Sequence, residues 1–191
     1  MGFFTETRIH FGNSALDKKA VRFIRKSYYK NFSGVKSIGI VWDASKINEF
    51  PVLSRFHQSM HERNIEVTII GYYAGKELPD QFTAIRFLTC IRRNELSFLY
   101  HPDSPEAEKF INTRFSILID INFDNIFPLT CISVLSRADF KIGLMDNTNN
   151  HEIFDLMMDI KKPVKVDEYL TQVIRYLEMI NSDSKVKAET I

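Results

Sequence analysis

Glycine is scarce and scattered in this chain. There are seven in 191 residues, and none falls into GxGxxG or GxxxxGK(S/T) spacing. Those spacings let backbone amides cradle phosphates, so neither a dinucleotide pyrophosphate site nor a P-loop is expected. Cysteine is scarcer still: Cys90 and Cys131 are the only two, with no metal-ligand spacing and no disulfide framework. Both sit among apolar neighbours, which points to buried free thiols in a reducing compartment, the cytoplasm. No apolar run approaches the roughly 18–20 residues of a membrane helix. Met1–His10 already holds Glu6 and Arg8, so no signal peptide is expected. Glu6 also stands where a myristoylation motif needs Ser or Thr. A GxSxG elbow and a nucleophile–base pairing are missing too. Together these absences count against the commonest enzyme classes on α/β folds.

What is present reads as one ordinary globular domain long enough to bury a sizeable core. Sixteen Phe accompany a single Trp, and most of the Phe fall in periodic segments that read as core. Phe115–Ile121 is a near-continuous apolar run, as expected for a strand covered on both faces of a parallel sheet. Pro128 then opens a helix through Leu135–Ser136, and Phe140–Leu144 reads as the next strand. Ser37–Asp43 and Glu66–Tyr72 are further core strands around a helix from about Asn48 to Arg63. Ser97–Tyr100 looks like another strand, and Asp103 or Ser104 caps a short helix through Asn112. Asp167 is expected to cap a final helix with Leu170, Val173, Ile174, Leu177 and Ile180 on one face. Phe82–Arg93 and Glu152–Ile160 fit either strand or helix. Strands alternating with helices imply right-handed crossovers. The fold class is therefore α/β, a single Rossmann-like three-layer domain with a mostly parallel, doubly wound sheet. Residues 1–35 read as a basic helical extension packed on that domain, 36–181 as the domain, and 182–191 as a polar, frayed tail.

Ligands of doubly wound sheets bind beyond the carboxyl ends of the strands. The candidate ligand-binding residues there are Asp43, Ser45, Asp120, Asn122 and Asp146. Converging carboxylates could hold Mg²⁺, which prefers oxygen ligands, but Asp and Asn also cap helices and form turns at strand ends. The phosphoryl-transfer pattern with a second aspartate two residues on is absent at Asp43, where Ser45 stands. His57 and His61 have the i, i+4 spacing of shared metal ligands but lack the accompanying glutamate and a third ligand. They read better as flanking a buried helix face.

Charge is uneven. Arg8, Lys18, Lys19, Arg22, Arg25, Lys26, Lys30 and Lys36 face only Glu6 and Asp17 within residues 1–36. The stretch 18–30 could meet nucleic acid or anionic membrane through salt-sensitive contacts, or simply form a solvated helix face. A protein partner or self-association is the other open expectation.

Two resemblances accompany these readings. Ile119–Asp120, Leu135–Ser136–Arg137–Ala138 and Ile142–Gly143, with Pro51, Leu53 and Ile65–Glu66–Val67, resemble the N-terminal half of heptosyltransferase-type GT-B glycosyltransferases over about a third of the chain. That likeness implies a sugar-transfer fold, but Ser45 occupies the place of the family's catalytic aspartate. The chain also ends before a nucleotide-sugar domain could begin. The stretches Ser136–Gly143, Phe154–Met158 and Tyr169–Asn181 are similar to a small bacterial family of α/β proteins of unknown function. This second likeness spans most of the chain and implies a fold without an activity. The leading expectation is a non-catalytic cytoplasmic binding or interaction module. The runner-up is a small transferase or phosphate-handling enzyme working through strand-end carboxylates.

Overall fold

A computed structural model describes residues 3–22, 25–29, 31–75, 77–145 and 153–180. Six strands form one sheet: β1 (Ser37–Asp43), β2 (Glu66–Tyr73), β3 (Leu88–Arg92), β4 (Ile117–Asp120), β5 (Phe140–Leu144) and β6 (Leu156–Met158). Among the described residues five α-helices accompany them: α1 (Phe3–Arg22), α2 (Phe50–Glu62), α3 (Pro105–Asn112), α4 (Phe127–Leu135) and α5 (Val166–Met179). The strand order is β3-β2-β1-β4-β5-β6 and every pairing is parallel. That is the dinucleotide-fold order, whose direction of winding reverses between β1 and β4.

Strand residues alternate between two apolar layers. Ile38, Ile40 and Trp42 of β1, Ile69 of β2, and Ile117 and Ile119 of β4 pack in one layer with Leu53 of α2 and Tyr169, Leu170, Val173 and Leu177 of α5. Val41, Ile70, Tyr72 and Leu118 face the other way, against Ala107 and Phe110 of α3 and Leu129 and Ile132 of α4. Each wholly buried aliphatic side chain contributes about 1.5–3 kcal/mol. Helix α1 rests on α4 through Leu16, Phe127 and Cys131. Gly12 makes that approach possible: a Cβ there would lie 2.5 Å from the Leu99 carbonyl oxygen and 2.9 Å from the Phe127 ring.

Several local expectations are corrected. The helix within the stretch read as a basic helical extension runs Phe3–Arg22. Residues 25–29 lie outside helix and strand, tied by the Tyr28 amide to the Asp139 carbonyl (2.9 Å). Ser97–Tyr100 is a turn, because Tyr100 takes a positive φ of 61° and only Leu96 bridges to Pro102. Asp167 lies inside the first turn of α5, whose cap position is Lys165 with no side-chain capping bond. Cys131 is buried, but Cys90 is only partly so, and burial raises both thiols to about 12. Phe11 and Phe98 are exposed exceptions to the core reading of most of the Phe. The two open stretches contain β3 and β6, and Ser104 does cap α3, accepting from the Ala107 amide at 3.2 Å.

Candidate functional site

The reversal of winding opens a crevice beyond β1 and β4, and the residues leaving those strands shape it. Val41 is the register partner of Asp120, so Asp43 and Asp120 share the α3/α4 side of the sheet. Two residues of offset on neighbouring strands separate their Cβ atoms by roughly 8 Å. Both side chains are buried, and both are used by their own loops. Asp43 Oδ1 accepts from the Ser45 amide (3.0 Å), while Asp120 Oδ1 accepts from the Asn122 amide (2.7 Å). Asp120 Oδ2 takes the Ser133 hydroxyl of α4 at 2.5 Å. Asn122 then pins the start of α4, accepting from the Ile126 amide (2.8 Å) and donating to the Ile126 carbonyl and Thr130 hydroxyl. Across the mouth, Lys46 after β1 pairs with Asp124 after β4 at 2.7 Å. Asp146 lies outside the described residues.

Asp120 anchors a polar cluster that composition and spacing did not announce. Burial pushes its carboxyl up to about 6, against the Ser133 hydroxyl, the Asn122 amide and the Lys141 ammonium, which favour the charged form. Lys141 of β5 pairs in register with Leu118 and shares that face of the sheet. Its Nζ donates to the Ser133 and Val134 carbonyls (2.7 and 2.9 Å) at the end of α4, where a cation complements the helix dipole. Burial and nearby Arg25 lower its ammonium to about 7, opposed by Asp155 and Asp120. Tyr169 of α5 has a buried hydroxyl with no hydrogen-bond partner among the described residues. Burial raises its phenol well above the ordinary value, and the Asp120 charge adds to that. A cavity of about 20 Å³ beside Asp120, walled by Asn122, Asn125, Thr130 and Ser133, has room for one water. The signals for this cluster were single polar residues inside apolar segments, Ser133 in α4 and Lys141 in β5.

A second, open cleft of about 470 Å³ lies beyond the carboxyl ends of β2 and β3, lined by Ala74, Gly75, Arg93 and Asn94. On the α2/α5 side, a groove of about 480 Å³ runs over Val52, Phe56, Leu170 and Ile174 beneath the Arg63–Glu178 ion pair.

The histidine pair does not converge on a third ligand. The His57 ring stacks on Phe87 at 3.8 Å, and burial, followed by its neighbour His61, lowers its pKa. Among the described residues no group of three or more His, Cys, Asp or Glu could share an ion. Of the basic N-terminal stretch, Lys18, Lys19 and Lys26 are exposed, but Arg25 is paired internally with Asp155 at 2.8 Å. Among the described residues no helix is long and apolar enough to cross a membrane.

No curated protein and no solved structure matches the chain. A family model described as a family of unknown function, DUF6913, matches residues 8–180, and the chain belongs to that family.

Proposed function

We propose that the protein is a non-catalytic, cytoplasmic binding module of bacterial origin whose ligand is held at the carboxyl edge of the sheet. The observation that carries this reading is how the edge carboxylates are used. Asp43 and Asp120 both accept the amide two residues ahead, and Asp120 also takes the Ser133 hydroxyl. Those bonds fix the loops that frame the crevice, as a preformed binding surface requires. They leave few free oxygens for chemistry. Two unpaired, reduced cysteines fit a reducing compartment.

A second reading has one observation in its favour. The raised carboxyl of Asp120 sits at the edge where this fold class binds ligands, with the lowered ammonium of Lys141 further back on the same face of the sheet, and perturbed groups cluster at functional sites. In that reading the protein is a small transferase or phosphate-handling enzyme with Asp120 moving a proton, in line with the partial glycosyltransferase likeness. Mg²⁺ would then have to displace the loop amides and Ser133 from the two carboxylates.

One experiment separates them. The protein is screened by thermal shift against nucleotides, nucleotide sugars and sugar phosphates, with and without Mg²⁺, and each stabilising compound is re-analysed by mass spectrometry after incubation. A ligand at a hundredfold excess over its Kd adds about 2.7 kcal/mol of stability. The binding-module reading expects a stabilising compound recovered unchanged. Conversion of that compound, abolished in Asp120→Asn, overturns it in favour of the enzyme.

A further inference from the structure

The open cleft beyond β2 and β3 differs from the rest of the carboxyl edge in the sign of its charge. Arg93, the first residue after β3, is exposed and takes part in none of the ion pairs among the described residues. Its neighbour Arg92 is different: its backbone amide and its Nε both donate to the Glu95 carboxylate, at 3.0 and 2.9 Å. Glu95 is thereby occupied. Tyr100 lies close enough to Arg93 and to Thr5 of α1 to feel both electrostatically. A second guanidinium, Arg8, lies 4.7 Å from the Tyr100 ring centroid and 4.3 Å from that of Phe98. Arg8 donates to the Phe98 carbonyl at 2.7 Å rather than to an acid. The Tyr100 pKa is lowered, by nearby Thr5 first and then by Arg93 and Arg8, against its slight burial. Of the residues that line the cleft, Arg93 is the charged one. Tyr100 takes a positive φ of 61°, which a bulky side chain seldom adopts.

Size and place agree with a ligand. A cleft of about 470 Å³ falls within the range of small-molecule sites, and it lies on the edge where open α/β sheets bind them. A planar guanidinium without a carboxylate partner is suited to bidentate bonding of a phosphate or carboxylate. Gly75 in the cleft's lining has no room for a side chain, since a Cβ there would meet the Tyr73 ring at 2.4 Å.

We infer that this cleft receives the oxyanion end of a small molecule, with Arg93 as its counter-charge. The inference rests on the binding-module reading and adds the chemical class and the place of the ligand.

The test titrates the full chain with sodium pyrophosphate, and separately with citrate, following the amide resonances of Gly75 and Asn94. Arg93→Ala, Arg93→Lys and Arg86→Ala are run alongside. Arg86 is exposed and precedes β3 at the opposite, amino edge of the sheet. The expected result is saturable movement of both resonances and binding weakened about tenfold or more by Arg93→Ala. Arg93→Lys should retain part of the affinity, and Arg86→Ala all of it. A preference for pyrophosphate over citrate assigns a phosphate ligand, and the reverse a carboxylate. Equal weakening by Arg86→Ala and Arg93→Ala, or no movement of either resonance with both anions, overturns the inference. If a neutral compound from the screen moves these resonances while the anions do not, the inference fails and the binding-module reading stands. If pyrophosphate binds there and is hydrolysed, the inference stands and the binding-module reading fails.

Discussion

At the scale of single residues, the buried pair Asp120 and Lys141 gives the protein an unusual pH profile. Asp120 moves from an ordinary 3.8 to about 6 in the folded chain. The folded state therefore holds the extra proton between those values. Stability from the neutral carboxyl is complete below about pH 3.8 and is lost as pH rises through 6. Lys141 moves the other way, from 10.5 to about 7. There the unfolded chain holds the extra proton, so stability is complete above about pH 10.5 and is lost as pH falls through 7. The two windows leave a trough between pH 6 and 7, a tenfold change in proton affinity being worth about 1.4 kcal/mol. In urea melts across pH, Asp120→Asn should remove the acid-side slope and Lys141→Met the alkaline-side slope, judged as differences from wild type. Superimposable profiles for wild type and both variants would show that neither group titrates as burial dictates.

At the scale of elements, two helices carry sequence choices that can be improved or broken. Lys165 occupies the N-cap of α5 with extended φ/ψ and no capping bond, and Glu168 stands three residues on. Lys165→Ser would complete the Ser-x-x-Glu capping box, and the expected gain is about 1 kcal/mol. The exposed Lys165–Glu168 pair it removes is worth little. A lower urea midpoint would reject that account of the helix start. Gly12 is the opposite case. Alanine favours helix by about 1 kcal/mol, yet here its Cβ would press on a backbone oxygen at 2.5 Å. Overpacking of that kind costs about 1–3 kcal/mol, so Gly12→Ala should loosen α1 and speed hydrogen exchange at its amides. Unchanged exchange in α1 would mean that the helix shifts without loss. These two helices also show where sequence reading stops. The apolar face of α5 was legible because Leu170, Val173 and Leu177 follow helical period. Its true start was not, because Asp167 resembles a cap and only φ/ψ reveals that Lys165 holds the position. The extent of α1 was obscured because its contact with α4 depends on a glycine, which reads as a breaker.

At the scale of the whole molecule, the order of the sheet follows from long apolar strands separated by helices, and that much was legible. Strand ends bearing Asp43 and Asp120 could be located too. The engagement of those carboxylates could not, because Ser133 lies 13 residues from Asp120 and meets it only when α4 folds back on β4. The Arg93 cleft was hidden for the same reason: Ala74 and Gly75 meet Arg93 and Asn94 only when β3 pairs with β2. Whether the two apolar layers form one cooperative unit is open to direct measurement. The single tryptophan, Trp42, is wholly buried in the α2/α5 layer against Phe50 and Phe82, so its fluorescence reports that side alone. Leu129 is wholly buried in the layer on the far side of the sheet. Leu129→Ala should cost about 2–5 kcal/mol, the usual range for emptying a leucine site. Because β1 contributes alternate residues to both layers, loss on one side should be transmitted to the other. The expected result is that Trp42 fluorescence and far-ultraviolet circular dichroism shift together, to the same lower denaturant midpoint. A fluorescence transition left at its wild-type midpoint while the dichroism moves would divide the molecule into two layers that melt separately. The carboxyl edge, built from both, would then lose its claim to be a rigid, preformed site.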